Sequence, residues 1–119
     1  MTAATEQQPM PNPTGTGDDV LEKLKALIAD LSPALIADLE SRVELGRRQY
    51  GERLRTFNDR NAATDCYQEL LDALLYATQC YLEDGDERRP NNWATVVERT
   101  SNILEFVCRL IEVKKNEQR

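Results

Sequence analysis

The chain has 119 residues and a mass of 13.6 kDa, which allows one domain and not two full-sized ones. Its 15 Lys and Arg against 21 Asp and Glu leave a formal charge of −6, which argues against a generic nucleic-acid-coating protein with a counterion-releasing basic face. With no histidine, Ser-His-Asp and Cys-His catalysis and imidazole-based zinc sites are excluded, and no apolar run approaches the ~20 residues of a membrane-spanning helix.

Residues 1–17 hold three prolines, two glycines, four threonines and one charge. Such a composition offers little apolar area to bury, so it is expected to be a disordered lead-in to a single helical domain over residues 18–119. It has neither a basic start nor an apolar stretch, so no secretory signal is expected and the location is read as cytoplasmic.

From Asp18 the pattern turns helical. Asp18 or Asp19 can cap a first helix with apolar positions Val20, Leu21, Leu24, Leu27, Ile28 and Leu31. Ser32 followed by Pro33 is a capping residue with proline at the first helical position, which predicts a restart. The second helix carries Leu35, Ile36, Leu39, Val43, Gly46 and Tyr50 along one stripe, with Gly51 as its stop. Periodicity fails between Gly51 and Arg60, so that stretch is read as a loop. Asn58, Asp59 or Asn61 can cap a third helix running to about Glu83. After a polar turn, Asn91 or Asn92 can cap a fourth from Trp93 to about Lys115. No strand-like alternation competes, and the expected fold is all-α, a four-helix bundle.

Along the fourth helix Trp93, Val97, Thr100, Leu104, Val107 and Ile111 recur in steps of four and three, with Val96, Ile103 and Leu110 widening the stripe. That spacing serves packing inside one chain or a coiled-coil seam between copies, and both readings stand. Both later helices are apolar over more than one face, so homo-oligomerisation through them is expected. Cys66, Cys80 and Cys108 form no C-x-x-C pair. They are expected as reduced thiols packed like small hydrophobes.

Two polar features carry candidate chemistry. On the third helix Asp65, Glu69 and Asp72 fall on one arc at i, i+4 and i+7, with Tyr76 and Gln79 continuing it. Like charges at i, i+4 repel unless compensated, and a hard cation such as Mg²⁺, or arginines, would compensate them. Glu40 and Glu44 lie at i, i+4 beside the apolar stripe of the second helix. Antiparallel packing of the second and third helices would turn the two acid sets toward each other, and the other reading leaves them in water or paired with arginines. The second feature is the stretch 47–60. Arg47, Arg48, Arg53, Arg55 and Arg60 there face only Glu52 and Asp59, a net +3 that leaves −9 for the rest of the chain. Guanidinium forks grip phosphate oxygens, and Tyr50 and Phe57 offer rings for a base. The alternative is that these arginines neutralise Glu40, Glu44 and Asp65 in structural ion pairs.

The run QELLDALLYATQ, with Glu69-x-x-Asp72 followed by apolar residues and Tyr76, resembles the second acidic helix of the MazG-like all-α nucleoside triphosphate pyrophosphohydrolases. The likeness spans Leu39 to Glu83. That family sets an E-x-x-E pair on one helix and an E-x-x-D/E pair on a later one, together holding Mg²⁺. Here the first pair reads Glu40-x-x-x-Glu44, which still keeps both acids on one face. The wider pattern from Tyr50-Gly51 through Leu54, Asn58, Arg60 and Asp65 to Gln68-Glu69 is similar to small proteins encoded by tailed phages, which implies a host-cytoplasm setting. The resemblance implies Mg²⁺ held by Glu40, Glu44, Glu69 and Asp72 with Asp65 nearby, and hydrolysis of a nucleoside triphosphate to monophosphate and pyrophosphate. Two other functions remain open: sequestration of a phosphate-bearing signalling nucleotide without turnover, and a helical oligomeric adaptor.

Overall fold

The computed structural model describes residues 5–12, 17–85, 87–88 and 90–118. It contains four α-helices in chain order, α1 (Val20–Leu27), α2 (Pro33–Tyr50), α3 (Ala62–Glu83) and α4 (Trp93–Glu117), and no strand among the described residues. No helix among them is long and apolar enough to cross a membrane. The chain divides into two compact units, one of residues 8–60 and one of residues 61–119 with 1–7. The first contains α1 packed on α2, the second α3 packed on α4.

In the first unit the helix ends follow from local chemistry. The Asp19 carboxylate accepts from the Glu22 N–H and caps α1. That helix stops at Leu27 rather than Leu31, with Ile28 extended. The chain must free Ser32 to cap α2, and a residue before proline disfavours helical backbone. The Ser32 hydroxyl accepts from the Leu35 N–H with Pro33 in the first turn. Gly51 ends α2 in the left-handed region (φ 86°), its N–H donating to the Arg47 carbonyl at 2.8 Å. A side chain there would be strained.

The loop after Gly51 is fastened to the start of α1. Val20 N–H donates to the Leu54 carbonyl at 3.0 Å, and Thr56 N–H to the Asp18 carbonyl at 2.9 Å, forming one antiparallel bridge between Asp19 and Arg55. Gly17 lies so close to Thr56 that a Cβ would collide with the Thr56 backbone carbonyl. Only glycine fits this approach. Residues 8–12 also touch the loop, since Asn12 N–H donates to the Asn58 carbonyl at 2.8 Å and Arg60 to the Pro9 carbonyl at 2.6 Å.

The second unit is a helical hairpin. Asn61 caps α3 by accepting from the Thr64 N–H. At the turn, Asn92 holds the cap position of α4 without a side-chain cap bond, and its neighbour Asn91 does the work: the Asn91 Oδ1 accepts from the Trp93 N–H, and its side-chain amide donates to the Tyr81 carbonyl at the end of α3. One side chain thus satisfies orphan groups on both helices. Of the stripe expected on α4, Trp93 is exposed, Val97, Thr100, Val107 and Ile111 are half-buried and Leu104 is buried, on a helix that packs against α3. That decides the reading left open above: this seam is used inside the chain. Val96, Ile103 and Leu110 do not widen it but stand exposed.

The apolar residues of α3 are covered unevenly: Ala77 is buried, Leu70, Leu71 and Leu74 are half-buried, and Leu75, Tyr81 and Leu82 are exposed. One expectation about burial is corrected. Cys66 and Cys108 are exposed free thiols, and Cys80 is half-buried. A two-helix layer can cover only the faces the helices turn to each other, so apolar residues a quarter-turn or more away are left outside.

A charged cleft on the second helix

The side chains of α1 and α2 meet through charge. Lys25 of α1 hydrogen-bonds Glu40 of α2 as well as Glu22 on its own helix, the latter at 3.2 Å. Arg53, just beyond α2, places Nε 2.7 Å from Asp19 Oδ2 and Nη1 3.7 Å from Glu40 Oε2, with Glu22 at 3.9 Å. One turn further along α2, Arg47 grips Glu44 through Nε (2.9 Å) and Nη2 (2.7 Å), and Arg48 approaches the same carboxylate at 3.5 Å. Glu40, Ser41, Glu44, Leu45, Arg48 and Arg53 line an open cleft of about 560 Å³. Carboxylates and guanidiniums therefore share one wall.

The electrostatics follow from these pairs. The Arg47 guanidinium, helped by Arg48, holds the Glu44 carboxyl far below its ordinary 4.5, at about 2. Lys25 lowers Glu40, with Arg53 adding to it. The Arg53 hydrogen bond lowers Asp19 against the opposing effect of burial. All three acids are ionised at neutral pH.

The remaining candidate residues are distributed as follows. Arg55 donates to the Gly17 carbonyl at 3.0 Å and pairs with Glu52 at 3.3 Å. Arg60 donates to Pro9, as above. Every arginine of the basic stretch thus has a partner within the first unit. Tyr50 is half-buried at the end of α2. Phe57 projects with 92 % of its surface exposed and a left-handed backbone (φ 55°). In the second unit Asp65 is half-buried, whereas Glu69 and Asp72 are exposed and make no ion pair among the described residues. Glu40 and Glu44 belong to one unit and Asp65, Glu69 and Asp72 to the other. Among the described residues no three acids or thiols are grouped to hold a metal.

Lys25 and the second role of Asp19 escaped the sequence reading. Lys25 lies 15 residues from Glu40, and Asp19 lies 34 from Arg53. No helical spacing rule connects positions so far apart, because the rules reach only one turn. Compared with protein-family models, curated proteins and solved structures, the chain matches none.

Proposed function

We propose that this chain is a cytoplasmic nucleotide-handling protein of the MazG-like, phage-encoded kind, binding a nucleotide polyphosphate at the α2 cleft and working as an oligomer joined through α3 and α4. The observation that carries the binding reading is the shared wall of Glu40, Glu44, Arg48 and Arg53 around about 560 Å³, within the ~300–1,000 Å³ usual for small-molecule sites. A Mg²⁺–polyphosphate ligand is itself an ion pair. Its phosphates would take the guanidiniums and its metal the released carboxylates, so each bond broken in the cleft is replaced by one of the same chemistry. Exposed ion pairs are individually weak, which makes that exchange accessible.

The donors fit the metal, since carboxylate oxygens are the hard ligands Mg²⁺ prefers. Glu40 and Glu44 would hold it. When bound, Mg²⁺ supplies polarisation of phosphate oxygens and a lowered pKa for water. Arg48 and Arg53 hold and orient the phosphates. A second reading, binding without turnover, is favoured by the saturation of both α2 acids with cationic side chains.

Incubation of the pure protein with mixed ribo- and deoxyribonucleoside triphosphates and Mg²⁺, followed by mass spectrometry of bound and free species, tests both. Monophosphate with pyrophosphate supports the enzyme. A retained, unconverted nucleotide released by Arg53→Ala supports the binder. Neither product nor retained ligand rules out the nucleotide reading.

A further inference from the structure

The fourth helix carries a second seam that α3 does not use. Arg99, Ile103, Phe106, Leu110, Val113 and Glu117 recur in steps of four, three, four, three and four, the heptad spacing that suits a straight run against another helix. At 100° per residue this line is centred about 110° around the helix from the line of Thr100, Leu104, Val107 and Ile111 that packs on α3. Its four apolar members are between 50 and 57 % exposed, against 7 % for Leu104. Over eleven residues, about 15 Å of helix, an apolar stripe with coiled-coil periodicity lies uncovered. The edge of the stripe carries Arg109, whose guanidinium lies over the Phe106 ring at 6.0 Å, with Glu105 and Glu112 one turn to either side on the same helix.

The ends of the seam decide what covers it. One end is a cation, Arg99, and the other an anion, Glu117, with only apolar positions between. We propose that this face binds the same face of a second copy, the two α4 helices running antiparallel. In that orientation the register is self-complementary: Arg99 meets the partner's Glu117, Ile103 the partner's Val113, and Phe106 the partner's Leu110, and each pair repeats across the two-fold axis. A parallel pair in register would instead set Arg99 against Arg99 and Glu117 against Glu117, burying like charges at both ends. Isologous pairing of one patch with itself is the commonest closed symmetry for homo-oligomers. The inference rests on the association part of the proposed function and is independent of its nucleotide part.

Light scattering of the full chain at micromolar concentration, without nucleotide, is the first measurement, and a dimer is expected. Ile103→Lys with Phe106→Lys should give a monomer whose far-ultraviolet dichroism keeps its helical signal, since neither side chain is buried within the hairpin. Arg99→Glu alone, or Glu117→Arg alone, should raise the dimer Kd about tenfold, because each dimer contains the pair twice and the change makes both repulsive. The two together should restore it. A monomeric wild type overturns the seam and the association reading alike. A dimer that survives the double lysine variant overturns the seam alone and leaves association through another face. A Kd unchanged by Arg99→Glu overturns the antiparallel register.

Discussion

Glu44 shows how much of this protein's charge is settled by immediate neighbours. Arg47 contacts both of its oxygens, and Arg48 adds a weaker approach one turn away from the same residue. Both partners are supplied by the helix itself, at i+3 and i+4. Because the folded-state value, about 2, lies below the ordinary 4.5, ionisation of Glu44 favours the folded form. That contribution is complete above about 4.5 and fades as pH falls through about 2. A carbon-detected titration of the glutamate side chains should find Glu44 titrating last, near 2. Arg47→Ala should move it most of the way back, since the Arg47 hydrogen bonds are the largest cause. A Glu44 that titrates with the ordinary glutamates would show that the pair is not formed in solution.

At the scale of elements, α1 is only eight residues long, too short to persist alone in water. It depends on its cap, on Leu21, and on the bridge to the loop after α2. Asp19 serves two of these needs, accepting from the Glu22 N–H and pairing with Arg53. The two roles can be separated, because asparagine caps a helix about as well as aspartate but carries no charge. In urea unfolding, Asp19→Ala should destabilise by about 1–2 kcal/mol through loss of the cap. Asp19→Asn should lose less, keeping the cap and surrendering only the attraction to Arg53. Equal losses in the two variants would assign the whole effect to charge. The same logic explains why α4 has two fates along one helix. Two stripes of similar apolarity lie about 110° apart around the helix, and α3 can cover only one of them.

For the molecule as a whole, the N-terminal segment bears on both units. Asn12 and Pro9 meet the loop that follows α2, and the Glu6 carbonyl accepts from the Gln68 side chain at 2.6 Å. Each such bond contributes ~0.5–1.5 kcal/mol net, offset by the entropy of ordering the chain that makes it. Deleting residues 1–12 should therefore lower Tm by a few degrees while leaving the helical dichroism of α1 to α4 unchanged. An unaltered Tm would show that the segment is dispensable, as its composition alone suggests.

Residue order alone sets the helices and most of their ends. Ser32 with Pro33, Gly51 and Asn61 act on backbone groups within four residues, so their effect is legible without knowing where anything else lies. It also determined the loop at 51–60 and the two charged features, because composition and spacing are local quantities. How those charges are used depends on which distant segments the fold brings together. Arg53 reaches Asp19, Arg55 reaches Gly17 and Arg60 reaches Pro9 across 34 to 51 residues of chain, and Lys25 takes Glu40. A spacing of i, i+4 identifies acids that share a face but not the cation opposite them. Periodicity likewise identifies apolar stripes on α4 but not which one meets α3, since burial depends on where the neighbouring helix lies and how much surface a two-helix layer can cover.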